Sequence, residues 1–158
     1  MRSLVVIGML GTVALLAGCG EDATAVQKEP ASPQGIFVSS GDCASAGTLT
    51  IDQCGQAIDR AVAFDQKNAP TYGSLASCNK AQGPGRCAKA VDGAYRANIQ
   101  AFLVTMSKKP RATALYAAND GSIGFADAEK NAFGVESETY TVSTSAQALA
   151  HENAHLKN

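Results

Sequence analysis

The chain opens with a hydrophobic segment that runs from Leu4 to Leu16 and is interrupted only by glycine and threonine. Arg2 places a positive charge in front of this segment, and small residues follow it. A helix that spans a membrane needs about 20 consecutive apolar residues, and this segment is shorter. The pattern therefore predicts a secretory signal peptide over residues 1–18.

A polar segment follows the apolar one. Residues 20–35 contain acidic and basic side chains, two prolines and almost nothing large and apolar. Chains of this composition cannot bury enough apolar surface to fold, so residues 19–35 are expected to form a flexible tether. Ile36-Phe37-Val38 then begins the ordered part of the chain, as a short strand or an apolar clamp.

The clearest helix is predicted from Ile51 to Lys67. Its apolar residues recur every three or four positions, which is the spacing of one helix face. Thr50 and Gln53 fit a capping box at its start, and Ala69-Pro70 ends it. The apolar positions on this face are Ile51, Cys54, Ile58, Ala61 and Val62.

Two shorter helices are predicted, and each ends at a glycine. The first has its N-cap at Ser40, runs through Cys43 and stops at Gly47. The second has its N-cap at Ser74 and stops at Gly83-Pro84-Gly85.

The later part of the chain mixes helix and strand patterns. A helix is expected through Asp92 to Gln100, and the apolar run Ala101–Met106 has the length of a strand. Asn119-Asp120-Gly121 separates the stretches Thr113–Ala118 and Ser122–Ala126. Because Asp-Gly favours a tight hairpin turn, this region predicts a β-hairpin.

The C-terminal segment is predicted to add one strand and one helix. Glu138–Ser143 has the character of a short strand, and Ala146–Lys157 could be a helix capped by Ser145.

Composition narrows the function classes. The formal net charge is −1 and the isoelectric point is about 6.1, so no basic stripe points to a nucleic-acid partner. There is no tryptophan and aromatic residues make up only 6%, which predicts a small core. The sequence has no Gly-x-Ser-x-Gly elbow, phosphate-binding loop or Cys-x-x-Cys pair. No cofactor is expected.

The end of the signal segment carries a modification signal. Leu16-Ala17-Gly18-Cys19 resembles a bacterial lipobox, after which Cys19 is lipidated and becomes the mature N-terminus. Several acyl chains hold a protein stably at a membrane. The predicted localisation is the cell envelope, with the membrane as partner through the anchor. Gly20 favours the outer membrane if the host is Gram-negative.

The cysteine count agrees with this assignment. Five cysteines are an odd number, and lipidation of Cys19 leaves four. In an oxidising compartment these four predict two disulfides, whereas the shortest gap between them is wider than in a zinc knuckle. Local pairing is the simplest of three possible connectivities, and the sequence does not choose among them. The four are Cys43, Cys54, Cys78 and Cys87.

These elements together predict an α+β fold of mostly small helices. Residues 36–133 are expected to form a disulfide-stapled helical domain with a C-terminal β-hairpin. Residues 134–158 are expected to add a strand and a helical tail.

The cysteine spacing and an Ala-Pro-x-Tyr segment carry a family resemblance. From Phe37 to Phe133, the chain resembles the YgiB-like family of uncharacterised bacterial proteins, commonly lipoproteins. The family's Gly/Met-rich middle is absent here and the tail differs. The resemblance implies no established reaction, but some genomes encode the family beside an ATP-grasp ligase-like protein, which hints at a partner. The matching segments are Cys43–Gly47, Cys54, Ala57–Ala61, Asn68–Tyr72, Cys78, Gly83–Gly85 and Cys87, followed by Ala114–Tyr116 and Phe125–Ala128.

One motif suggests an enzyme. His151-Glu152-Asn153-Ala154-His155 has the form H-E-x-x-H and holds the only two histidines of the chain. On a helix, His151 and His155 could bind zinc with Glu152 as general base. A catalytic site needs a third protein ligand, and only Leu156, Lys157 and Asn158 follow the motif. Glu136 or Glu138 could fold back to supply it.

The sequence therefore favours a non-enzymatic, lipid-anchored interaction or accessory module with an envelope protein as its partner. A zinc-dependent hydrolase that uses His151, Glu152 and His155 is the alternative. A third possibility is a small-molecule-binding lipoprotein, which needs an apolar pocket of about 300 Å³ or more.

Overall fold

The computed structural model describes residues 33–156. The predicted signal peptide, Cys19 and nearly all of the predicted tether lie outside these residues. The helices of the described part are α1 Ser40–Ser45, α2 Ile51–Asn68, α3 Leu75–Gln82 and α4 Thr144–His155. The strands are β1 Gln34–Phe37, β2 Cys87–Lys89, β3 Tyr95–Ala97, β4 Ala101–Thr105, β5 Arg111–Ala117, β6 Gly124–Ala126, β7 Ala132–Gly134 and β8 Thr141–Val142.

Six strands form one sheet in the order β7-β6-β5-β4-β1-β8, while β2 and β3 pair separately. The fold is α+β, as predicted. The predicted hairpin exists as β5 and β6, but it is one part of this larger sheet. The prediction of a mainly helical domain with an appended hairpin is therefore wrong. β1 pairs antiparallel with β4, with Gln34 opposite Thr105. A pairing between segments so distant in sequence leaves no local pattern that could predict it.

Helices cover both faces of the sheet. Successive side chains in a strand point to opposite faces, so Ile36 and Phe37 enter two different cores. Phe37 packs in a core with α1 and α2, whereas Ile36 packs in a core with α4. The first core contains Phe37, Cys43, Leu49, Cys54, Ala61, Phe102, Val104 and Ala114. The second contains Ile36, Ala101, Leu115, Phe125, Ala146 and Ala150.

The helix predictions that rest on capping boxes and glycine stops are confirmed. α2 begins behind the capping box of Thr50 and Gln53 and ends at Asn68, one position beyond the prediction. α3 is capped by Ser74 and stops at Gly83.

Two helices begin earlier than predicted. The N-cap of α1 is Ser39 rather than Ser40, and the N-cap of α4 is Ser143 rather than Ser145. Both stretches hold several residues that are able to cap a helix. The Ser39 and Ser143 hydroxyls each accept a hydrogen bond from a backbone N–H three residues on, at 3.1 Å in both cases.

The helix predicted through Asp92 to Gln100 is wrong. This segment holds the turn and second strand of the β2–β3 hairpin. Gly93 adopts a positive φ of 86°, and the Asp92 carboxylate accepts a hydrogen bond from the backbone N–H of Ala94. Hydrogen bonds from the Arg96 side chain lower the pKa of Asp92 to about 2. The Asp-Gly turn chemistry here outweighs the helical tendency of its neighbours.

The remaining strands fit the predictions in part. β4 falls within the apolar run predicted as a strand. β8 is shorter than the predicted strand Glu138–Ser143 and runs parallel to β1, and β7 lies where no element is predicted. Gln34 and Gly35 were expected in the tether but belong to β1.

No helix within residues 33–156 combines the length and apolar character that crossing a bilayer requires.

Candidate functional site

The two predicted disulfides are present in the described domain. Cys43 bonds to Cys54 and joins α1 to α2, whereas Cys78 bonds to Cys87 and joins α3 to β2. The structure therefore has the local pairing among the three connectivities that the sequence allows. Each bond ties a helix to the element that follows it along the chain.

The H-E-x-x-H motif lies on α4, as its pattern predicts. The side chains of His151, Glu152 and His155 are all exposed. Glu136 and Glu138 lie in the loop between β7 and β8. Within residues 33–156, no group of three or more His, Cys, Asp or Glu side chains is arranged to hold a metal ion.

The buried residue of the motif is Asn153, which connects α4 to the rest of the domain. Its carbonyl oxygen accepts a hydrogen bond from Arg86 Nη2 at 2.7 Å, and Arg86 Nη1 donates to the carbonyl of Ala118 at 2.7 Å. Asn153 Nδ2 donates to Gln100 Oε1. Burial of the Arg86 guanidinium lowers its pKa. Within the motif, Asn153 therefore makes the contacts with the rest of the domain, whereas both histidines are exposed.

The largest surface depression that we find in the described domain lies along α2. It has a volume of about 580 Å³ and is lined by the second half of α2, by β5 and by residues 127–129. A second depression of about 250 Å³ adjoins it. The two share Ala69, Tyr116, Asp127 and Ala128. We call them together the α2 groove.

A hydrogen bond between two buried side chains lines the α2 groove. The hydroxyl of Tyr116 donates to Oδ1 of Asp65, and the two residues are only 7% and 9% exposed. Burial raises the pKa of Tyr116, and the Asp65 carboxylate raises it further. The tyrosine is therefore a protonated donor at neutral pH, and its hydroxyl partners the buried carboxylate.

An exposed aromatic ring stands beside this pair. Phe64 precedes Asp65 on α2, lines the groove and is 68% exposed. Arg60 and Arg111 contribute cationic side chains to the lining. Glu129, from the segment after β6, contributes an anionic one.

The lining decides what kind of ligand the groove suits. A small-molecule site is mostly apolar, with a few polar groups that fix orientation. Here alanine methyl groups alternate with several charged side chains. The groove exceeds the volume set for a small-molecule binder, and its lining combines these methyl groups with the Phe64 ring and both acidic and basic side chains.

One feature of the sequence, an acidic residue on the buried face of α2, could have indicated this site. Asp65 lies four residues after Ala61, on the face of α2 that also buries Cys54 and Ala57. A carboxylate on a buried face needs a hydrogen-bond partner. Its partner, Tyr116, is 51 residues away along the chain, and helical spacing gives no means of selecting it.

Comparison with known proteins gives one result. Residues 31–153 match a family described as "Protein of unknown function (DUF1190)". The match spans both disulfides, every strand of the described sheet and nearly all of α4. No curated protein and no solved structure was found to match the chain. Because the match covers most of the sequence, the chain belongs to the DUF1190 family.

Proposed function

We propose that this protein is a lipid-anchored bacterial envelope protein that acts as a non-enzymatic interaction module through the α2 groove. The observation that carries the proposal is the exposed ring of Phe64 beside the buried Asp65–Tyr116 pair. Binding energy at interfaces concentrates in aromatic and arginine side chains near well-packed groups. The groove combines both kinds of side chain on a helix and a strand.

Two further features support an envelope location. Leu16-Ala17-Gly18-Cys19 resembles a lipobox, and the domain closes two disulfides. Disulfides persist in oxidising compartments and are rare in the cytosol. The finer assignment to YgiB-like lipoproteins belongs to the same proposal.

The groove suits a polypeptide partner of mixed character. Arg60 and Arg111 can pair with carboxylates, Glu129 can pair with a basic side chain, and Phe64 offers an apolar contact. We propose an extended segment of an envelope protein that carries both charges and an apolar residue. The ATP-grasp ligase-like protein implied by the family resemblance is the first partner to test.

Site-specific photocrosslinking in native membranes tests this proposal. A photoreactive residue replaces Phe64 in one variant and Val91 in a control, because Val91 is fully exposed in the β2–β3 turn. We expect a discrete adduct from position 64 that is absent from position 91. Equal adduct patterns at the two positions, or none at position 64, would contradict a partner site in the groove.

Metal analysis separates this proposal from the zinc-hydrolase alternative. We expect the purified protein to hold no stoichiometric zinc. One equivalent of zinc per chain would favour the hydrolase instead if His155→Ala abolished its binding. The control variant Lys80→Ala, which leaves both histidines in place, should then retain the zinc.

A further inference from the structure

A basic cluster surrounds the turn between β4 and β5. Lys108 and Lys109 lie in the turn, Arg111 begins β5, and Arg60 reaches the turn from α2. Arg60 Nη2 donates to the carbonyl oxygen of Pro110 at 3.0 Å. All four cationic side chains are exposed. We call these residues the basic turn.

The cations of the basic turn form no ion pair with acidic groups of the described domain. In residues 33–156, the ion pair that we find is the one between Asp92 and Arg96, in the β2–β3 hairpin. None of the four cations of the basic turn has a carboxylate within 4.0 Å there. A cluster of this kind on a protein with a net charge of only −1 is a local concentration of positive charge.

Pro33 and Gln34 lie directly beside the basic turn. The carbonyl of Pro33 accepts a hydrogen bond from the backbone N–H of Met106 at 2.7 Å, and Gln34 pairs with Thr105 at the end of β4. The basic turn starts immediately after these residues. The start of β1 and the basic turn therefore lie at the same end of the sheet.

We infer that the basic turn binds the phosphate groups of anionic phospholipids in the membrane that holds the anchor. This inference rests on the proposed lipidation of Cys19. The tether predicted from the sequence between Cys19 and Pro33 is short, and a flexible coil of this length would extend about 20 Å. Attraction between exposed charges and a membrane acts within about 10 Å. The anchor thus keeps the basic turn near the membrane surface. The cations of the turn then orient that end of the sheet toward the membrane.

Binding in this orientation has a functional consequence. Arg60 and Arg111 belong both to the basic turn and to the lining of the α2 groove. Lipid contact at the turn therefore places this end of the groove near the bilayer. A partner in the groove would then be one that presents its segment close to the membrane surface.

Lysine acetylation on vesicles tests the inference with the full lipidated protein. The protein is reconstituted into vesicles that contain phosphatidylglycerol or into vesicles of phosphatidylcholine alone, and acetylation rates are read by mass spectrometry. We expect Lys108 and Lys109 to react about threefold or more slowly with phosphatidylglycerol, with recovery in about 0.5 M NaCl because salt screens the attraction. Lys80 and Lys89 are the internal controls, since both are exposed and lie outside the turn.

A double variant checks the role of the arginines. Arg60→Gln with Arg111→Gln should reduce the protection of Lys108 and Lys109 on phosphatidylglycerol vesicles while the control lysines stay unchanged. Equal rates on the two vesicle types, with Cys19 acylated in the same sample, would overturn the inference and leave the proposed function intact. An unacylated Cys19 peptide would overturn both.

Discussion

At the scale of single residues, the central feature is the buried carboxylate of Asp65. An unpaired buried carboxylate is costly, and the Tyr116 hydroxyl satisfies it. The same pair lines the α2 groove, beside the exposed ring of Phe64. The residue that stabilises the packing of α2 on β5 is therefore also part of the proposed binding surface.

Tyr116→Phe tests this pair through stability. Loss of the hydroxyl leaves Asp65 without its donor, so the free energy of unfolding at pH 7 should fall by about 1–3 kcal/mol. Urea unfolding measures the change. Tyr140→Phe is the matched control, because the Tyr140 hydroxyl is exposed and donates to the Gly134 carbonyl; we expect a smaller loss there.

Tyr116→Phe should also change how the free energy of unfolding depends on pH in alkaline solution. The pKa of Tyr116 is raised above its ordinary value of 10.0 in the folded state. Above that pH the unfolded chain releases the proton while the folded chain keeps it, so the stability supplied by Tyr116 declines as pH rises. The stability of Tyr116→Phe should therefore fall less steeply above pH 10 than that of the parent. Parallel curves would contradict a protonated, buried donor.

At the scale of elements, the close approach of β6 and β7 depends on a glycine. A Cβ on Gly124 would lie within 3.0 Å of the Phe133 carbonyl oxygen, which belongs to the backbone and cannot turn aside. Gly124 pairs with Gly134 in this part of the sheet. The β6–β7 ladder therefore needs a residue without a side chain at this position.

Gly124→Ala should destabilise the protein by about 1–3 kcal/mol, because the added methyl group forces the strands apart. Gly73→Ala is the control, since nothing lies within 4 Å of a Cβ there, and we expect a change within about 0.5 kcal/mol. Thermal or urea unfolding of both variants measures the difference. Similar losses in the two variants would show that strand spacing is not the cause.

The elements also show what the sequence can predict. Thr50 and Gln53 fix the start of α2, and Gly83 fixes the end of α3, because each signal acts on its immediate neighbours. Asp92-Gly93 carries the same turn signal as Asp120-Gly121, so the β2–β3 hairpin was predictable in principle. The β1–β4 and β1–β8 pairings were not, because their partners are distant in sequence and lack local markers.

The candidate site, like the fold, could be predicted from the sequence only in part. The cysteines of the disulfides are predictable from their number and spacing, whereas the α2 groove depends on contacts between α2, β5 and residues 127–129. Asp65 could have been singled out as an acid on an apolar helix face. Its partner Tyr116 and the neighbouring Arg111 come from another element, and only the fold brings them together.

At the scale of the whole molecule, three features lie in an order that fits an anchored module. Pro33 and the basic turn lie at the same end of the sheet, and the α2 groove shares Arg60 and Arg111 with that turn. The two disulfides tie α1 to α2 and α3 to β2. In the proposed arrangement, the anchor holds the domain at the membrane and the α2 groove binds the partner.

The central claim is that this domain works from a lipid anchor in an oxidising compartment. The intact mass of the protein extracted from membranes without reduction tests it most directly. We predict a chain that begins at Cys19, carries acyl chains on that residue and lacks four hydrogens through its two disulfides. A chain that still begins at Met1, or an unmodified Cys19 with four free thiols, would contradict the claim.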